Sequence, residues 1–258
     1  MDSIFRVEHD HVAVSAFASG PWNPGMQHGG APASLCVWVA EKVPAPAPMR
    51  VARLTLDLLR PVPVAPLHIR WEIVREGKKI QLVAVHLEAK GVEVARASVL
   101  RVRAGGAEFA AIERADALDV GLPEDGAERR APERSATSFG AGATLRVING
   151  EFGAPGPAAI WFKYNRTLVE GQANSPAMLA AAVADFTNGI SSELTFNDWT
   201  FINADLTVSL ARDPEGEWIL LNAQTWLGND GGGIAAARLA DRRGYFGRVT
   251  QNLVVEKR

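Results

Sequence analysis

The chain has 258 residues, 47% hydrophobic and 22% charged, with 27 Lys and Arg against 29 Asp and Glu. Those are the proportions of a globular chain, which excludes a disordered or collagen-like one, and a formal net charge of -2 carries no basic excess of the kind that neutralises nucleic-acid phosphates. No apolar run is long enough to span a bilayer, the start Met1-Asp2-Ser3 has no basic segment leading into an apolar one, and the single cysteine, Cys36, cannot form an internal disulfide. A cytoplasmic protein that binds neither nucleic acid nor membrane is the expectation.

In chain order, His9 and His11 alternate in a first strand, with no third ligand spaced for a metal. The loop Trp22-Asn23-Pro24-Gly25-Met26-Gln27-His28-Gly29-Gly30 then runs into a helix predicted over 30–42. Pro32 sits near its start, where a missing N–H is harmless, and Pro44 lies just past its end. A strand over 51–60 and a Pro-containing break follow, then strands over 67–75, 79–89 and 92–103, separated by turns at Glu76-Gly77 and Lys90-Gly91. Residues 104–142 lose both strand and helix periodicity and read as a linker crossing the surface. A second helix is predicted over 175–187, with Ser175 as N-cap, Pro176 at the first helical position and Asn188-Gly189 as its stop. A strand over 203–212 comes next, then strands over 217–227, 233–241 and 245–256. Both helices are apolar on nearly every side and must be buried; a buried helix followed by a long antiparallel meander suggests a sheet wrapped around it.

The order of elements repeats, and so do residues. Leu54-Thr55-Leu56 falls on Leu206-Thr207-Val208, Arg60 on Arg212 and Arg96 on Arg248, all at an offset of 152. The organisation expected is an N-terminal unit over 1–103, the linker 104–142 and a C-terminal unit over 143–258, with one irregular domain carrying a long loop as the alternative.

Duplication allows an internal comparison. Asp185 falls opposite Ala33, Asn203 opposite Val51 and Gln251 opposite Val99, so all three differences place polarity in the second copy. A buried polar group without a partner costs about 1–3 kcal/mol, so these three residues suggest a polar constellation in an apolar pocket. Asn203 needs a bulge, or a strand beginning after it, to share the site. The free N–H groups at the start of the first helix, beside Gly29 and Gly30, suit an anion or oxyanion. No Gly-x-Ser-x-Gly elbow, P-loop or dinucleotide fingerprint is present. Cys36 inside the first helix reads as a packing residue, Ser34 beside it has no evident base to make it a nucleophile, and His68 and His86 in strands read as structural.

His28-Gly29-Gly30 before an apolar helix, Asp185-Phe186-Thr187-Asn188-Gly189-Ile190-Ser191, Phe201-Ile202-Asn203-Ala204-Asp205-Leu206-Thr207-Val208 and Thr250-Gln251-Asn252 together resemble the acyl-CoA thioesterase family of double-hotdog proteins, over nearly the whole chain apart from the linker. The resemblance implies an α+β double hotdog: two tandem helix-wrapped-by-antiparallel-sheet units with joined sheets. It implies hydrolysis of acyl-CoA to free acid and CoA by a directly attacking, enzyme-oriented water, with no cofactor and no metal. Asp185, Asn203 and Gln251 take the catalytic positions, with Asn203 where the family has Thr or Ser. His28, Gly29 and Gly30 form the substrate-binding loop, and a Gly29 or Gly30 N–H polarises the thioester carbonyl. Double hotdogs of this kind can pair into homo-oligomers. Two alternatives remain: a non-catalytic acyl-CoA or lipid-binding hotdog, and a hotdog enoyl-CoA hydratase. The latter needs an Asp–His pair, and no histidine lies near Asp185 in sequence.

Overall fold

A computed structural model describes residues 3–105, 117–130 and 136–258. The first strands are β1 (Phe5–Glu8) and β2 (His11–Val14), followed by α1 (Gly30–Lys42), β3 (Met49–Asp57), β4 (Leu67–Glu76), β5 (Ile80–Ala89) and β6 (Val92–Arg103). After them come β7 (Ala127–Arg130), β8 (Ala143–Asn149), β9 (Ala158–Tyr164), α2 (Pro176–Ala184), α3 (Thr187–Ser191), β10 (Trp199–Asn203), β11 (Asp205–Leu210), β12 (Trp218–Leu227), β13 (Gly232–Asp241) and β14 (Gly244–Lys257). Among the described residues these strands form one sheet in the order β1-β2-β4-β5-β6-β3-β11-β14-β13-β12-β9-β8-β7, with β10 also paired to β14.

The duplication is visible in the register of the central pair. β3 and β11 are antiparallel, with Leu54 opposite Val208, Thr55 opposite Thr207 and Leu56 opposite Leu206. Those are the residues that match at the 152-residue offset, so a pseudo-two-fold axis passes through the Thr55–Thr207 pair. Outward from it, β6, β5 and β4 on one side answer β14, β13 and β12 on the other. The repeated arginines also do matching work. Arg60 donates to the Glu93 carbonyl of the β5–β6 hairpin, and Arg212 grips the β13–β14 hairpin through the Asp241 carboxylate and the Gly244 carbonyl.

Both helices lie in the core because neither has a polar stripe to offer water. Most of α1 from Gly30 to Ala40, and all of α2 except Pro176 and Leu179, are buried. Ser175 caps α2 by accepting the Met178 N–H at 3.1 Å. The helix does not stop at Asn188-Gly189 as its sequence predicts. It breaks earlier, at Asp185-Phe186, and resumes as α3 through Asn188 and Gly189. Two side-chain bonds tie the resumed turn, from the Thr187 hydroxyl to the Ala184 carbonyl and from the Ser191 hydroxyl to the Thr187 carbonyl.

Two other expectations change. His9 is not in a strand: it sits in the β1–β2 turn with φ 60°. The segment 104–142 is not only a surface crossing. Its residues 127–130 add β7 to the sheet edge against β8. Leu118 and Val120 pack on Trp161, Leu220, Ala240 and Tyr245, covering the outer face of the second half, and Phe139 is fully buried. Residues 106–116 and 131–135 of that segment lie outside the described residues.

Asp241 is fully buried and bound bidentately by Arg212, at 2.5 and 2.7 Å. Burial alone would push its carboxyl up; Arg212 and the N–H groups of Glu215 and Arg243 outweigh that and hold it below the usual carboxylate range. A depressed carboxyl contributes stability above its unfolded pKa, about 4, and loses it as pH falls through the folded value. Asp241→Asn is expected to destabilise the fold by about 2–3 kcal/mol at pH 7, because a partly solvated Arg212 loses its counter-charge. Urea melts at stepped pH should show the gap between variant and wild type closing below about pH 4.

Candidate functional site

Asp185 stands at the C-terminal end of α2, the unfavourable end of that helix for a carboxylate. The packing of the two helices supplies the compensation. α1 begins where α2 ends, and the Gly30 N–H, in the first turn of α1, donates to Asp185 Oδ2 at 2.8 Å. The carboxylate is therefore at the wrong end of its own helix and the right end of its neighbour.

Three more contacts complete its surroundings. Asn203 Nδ2 and Gln251 Nε2 donate to Oδ1 at 2.9 and 3.0 Å, and His28 Nδ1 lies 2.8 Å from Oδ2. Asp185 is 5% exposed, Gln251 0% and His28 8%. An ionised carboxylate has about four acceptor sites, and three of them take hydrogen bonds from Gly30, Asn203 and Gln251. His28 Nδ1 also lies 3.2 Å from the Gly30 nitrogen. The Gly30 N–H is thus shared, 2.8 Å from Asp185 Oδ2 and 3.2 Å from His28 Nδ1, which accepts it; the approach of Nδ1 to Oδ2 is a close contact and not a hydrogen bond.

The strands bring the amides to this point through an irregularity. β10 pairs Asn203 with Leu253, whereas β11 pairs Thr207 with Thr250, so one extra residue is accommodated between them on the β10–β11 side. This bulge at Ala204-Asp205 puts Asn203 on the face that carries Gln251 and Leu253. Asp205 anchors it by accepting from the Asn252 backbone and side-chain nitrogens at 2.6 and 2.9 Å. Asn203 also donates to the Asp205 carbonyl, and its Oδ1 has no hydrogen-bonding partner among the described residues. Gln251 is oriented from behind: its Oε1 accepts the Asn188 N–H at 3.0 Å, which turns its Nε2 toward Asp185. Asn188 in turn donates its side-chain nitrogen to the Phe201 carbonyl. Nothing in the sequence pattern marked Asn188, which reads there as a helix stop.

The loop before α1 is pinned by backbone bonds from Gln27 to Val62 and from His28 to Ala18. The His28 ring packs in a cluster with Phe139, at 4.9 Å, and Phe186, at 4.4 Å, which also touch each other at 6.1 Å, and Phe139 is held there by its own N–H to the Ser19 carbonyl. No histidine lies near Asp185 in sequence, yet His28 comes within 2.8 Å of it, because sequence separation says nothing about two ends joined by antiparallel helix packing. Of the two N–H groups either of which was expected to serve as the oxyanion donor, one is already committed. The Gly30 N–H is engaged by Asp185, and the Gly29 N–H has no hydrogen-bonding partner among the described residues. Cys36 is buried and burial pushes its thiol up; the Ser34 hydroxyl bonds the Ala31 carbonyl. Neither joins the site.

Both loop glycines are required by close approach. A Cβ at Gly30 would lie 2.4 Å from the Ala182 carbonyl oxygen, and one at Gly29 would lie 2.8 Å from both Asp185 oxygens. Gly30→Ala forces the helices apart, with an expected cost of about 1–3 kcal/mol from overpacking. Gly29→Ala instead displaces a side-chain carboxylate, so thermal melts should show a smaller loss than for Gly30→Ala.

A family model described as acyl-CoA thioesterase N-terminal domain matches residues 18–102, and one described as acyl-CoA thioesterase C-terminal domain matches residues 122–255. No curated protein sequence matches. Among solved structures, a conserved protein of unknown function with a hot dog fold from Alicyclobacillus acidocaldarius superposes with a TM-score of 0.78 at 19% identity, covering 99% of this chain and 97% of that one. An acyl-CoA thioesterase II from Mycobacterium marinum superposes at 0.65 with 15% identity, covering 98% and 94%. The tesB protein of Mycobacterium avium subspecies paratuberculosis does so at 0.69 with 14% identity, covering 97% and 95%. At these identities the likeness is one of fold, a tandem hotdog.

Proposed function

The chain belongs to the acyl-CoA thioesterase family, and we propose that it hydrolyses the thioester of an acyl-CoA by attack of a water held at Asp185. The observation that carries this reading is the convergence on one buried carboxylate of donors from both halves, Gly30 from the first and Asn203 and Gln251 from the second, with the His28 ring in close contact. Asp185 fixes the relative positions of these groups. The Gly29 N–H, left without a partner beside the carboxylate, donates to the thioester carbonyl oxygen as negative charge builds on it; one such donor is worth roughly 10²–10³ in rate. Asn203 Oδ1, also without a partner, accepts from the attacking water. An amide in place of a hydroxyl at that position still supplies an acceptor. No covalent intermediate is needed.

The His28–Asp185 contact also fits the Asp–His pair of a hotdog enoyl-CoA hydratase, so that second reading has a structural basis. The two reactions leave different products. Release of free CoA thiol from a panel of short, long and aromatic acyl-CoAs detects hydrolysis, and loss of the enoyl absorbance without thiol release detects hydration.

Asp185→Asn keeps the shape and breaks the acceptor set; it is expected to lower thiol release by at least about 10²-fold. Gln251→Ala should lower it by roughly 10-fold or more, since it removes one of several orienting groups. Circular dichroism on both variants separates loss of chemistry from loss of fold. Saturable acyl-CoA binding by the wild type with no turnover on any substrate would replace hydrolysis with the binding-protein reading.

A further inference from the structure

We propose that Trp22, Phe196, Phe201 and Arg258 form the subsite for the phosphopantetheine arm of the substrate: the rings line its amide chain and the Arg258 guanidinium meets its phosphate. This rests on the thioesterase reading and deepens it, since the arm ends in the thioester sulfur.

Placement comes first. Of the groups gathered around the carboxylate, His28, Gly30, Asp185, Asn188 and Gln251 are buried, while Gly29 and Asn203 are half-buried. A substrate therefore approaches past Gly29 and Asn203. The aromatic cluster stands on the two segments that carry them. Trp22 belongs to the loop that runs into Gly29. Phe201 lies two residues before Asn203 on the same face of β10, about 7 Å along the strand. The Trp22 ring meets Phe201 edge-on at 5.1 Å and stacks on Phe196 at 5.3 Å, and Phe196 meets Phe201 at 4.6 Å. Trp22 thus joins the loop of the first half to the strand of the second, beside the route to Asp185.

The chemistry of the cluster fits that arm. Phe201 is buried, but Trp22 and Phe196 are half-buried and keep ring surface open to solvent. The Trp22 indole N–H has no hydrogen-bonding partner among the described residues, so it can donate to an amide carbonyl of the arm. The Arg258 guanidinium carbon lies 5.3 Å from the Trp22 ring centroid. Its backbone N–H is anchored on the Asp198 carbonyl at 2.9 Å, whereas its guanidinium has no carboxylate partner among the described residues; the Asp198 carboxylate takes the Thr195 hydroxyl instead. An exposed arginine fork held near a ring and left unpaired suits a phosphate, which it can bind through two parallel N–H groups. From Asn203 the path runs by way of Phe201 and Trp22 to Arg258, in steps of about 7 Å along the strand, then 5.1 Å and 5.3 Å between rings and guanidinium. Reacting centre, ring wall and cation follow one another in the order of sulfur, amides and phosphate along the arm.

The test compares acyl-CoA with the acyl-pantetheine of the same acyl group, which lacks the phosphate. Thiol release is followed for the wild type, Arg258→Gln, Trp22→Ala and Trp22→Phe. Arg258→Gln should lower the preference for acyl-CoA over acyl-pantetheine, read as the ratio of their kcat/KM values, by about 5-fold and chiefly through KM. The rise of the acyl-CoA KM with added salt should flatten in the same variant. Trp22→Ala should raise KM for both substrates by about 5-fold, with Trp22→Phe recovering most of the loss because a ring is restored. A merely structural role for Arg258 moves both substrates together and leaves the preference intact; that result would overturn the subsite. The arm is carried by CoA and by acyl carrier proteins, and the same acyl group offered on each identifies the carrier by the higher kcat/KM. Should the wild type bind acyl-CoA without turnover, the same ratios are read from Kd. A wild type that neither binds nor hydrolyses any acyl-CoA removes the thioesterase reading and the subsite with it, whereas an active wild type whose preference survives Arg258→Gln removes the subsite alone.

Discussion

A carboxylate removed from water must be given donors, and Asp185 is given them by residues that no single half of the chain could supply. That requirement accounts for much of the local architecture. It explains why α1 and α2 approach so closely that residue 30 can carry no side chain, since only then does the Gly30 N–H reach Oδ2. It explains the break at Asp185-Phe186, which turns the side chain out of the α2 helix and into the junction. It also explains the bulge at Ala204-Asp205, which lifts one amide onto the inner face of a strand whose alternation would otherwise point it away.

Much of the fold was legible before any coordinates because duplication leaves a numerical trace. Strand and helix limits follow from hydrophobic pattern and turn residues, and the offset of 152 predicted two equivalent units. The structure adds that antiparallel pairing of the equivalent strands β3 and β11 must centre on a residue and its own counterpart, Thr55 and Thr207. What the pattern could not show was tertiary demand. Asn188-Gly189 reads as a stop on local propensity, yet α3 continues through it because Ser191 and Thr187 back-bond within the turn and Asn188 is needed behind Gln251. Residues 117–142 lack periodicity since their described parts follow the surface of the second half rather than a face of their own, and Phe139 carries no marker of its position beneath the site.

The candidate site was legible to the same degree and for a related reason. Asn203 and Gln251 stood out as polar residues where their counterparts are apolar, and Asp185 did so against Ala33 at the same offset, although the helix end that answers it in the structure carries Glu41; the structure brings all three together. His28 was legible only as part of a glycine loop. Its partner is far away in sequence, and the two meet through helix packing that a linear reading does not contain. The amide at position 203 shows the value of the geometry most directly. Its Nδ2 is committed to Asp185 and to the Asp205 carbonyl, so the group left for a ligand is an acceptor.

The pseudo-symmetry also explains why one site of this kind forms rather than two. At the opposite end of the helix pair, α2 begins where α1 ends, and Glu41 occupies the place that Asp185 has at the first end. It accepts the Ser175 hydroxyl at 3.0 Å, as Asp185 accepts the Gly30 N–H. The strand positions answering Asn203 and Gln251 are Val51 and Val99, both buried and neither able to donate. Burial pushes the Glu41 carboxyl up, with the Ser175 hydroxyl opposing it. Arg101, close enough to pull the other way, spends its Nη1 on the Val43 carbonyl and Gln81. Duplication thus produced two helix junctions with a carboxylate at each, and the amides of the second half gave one of them two further donors.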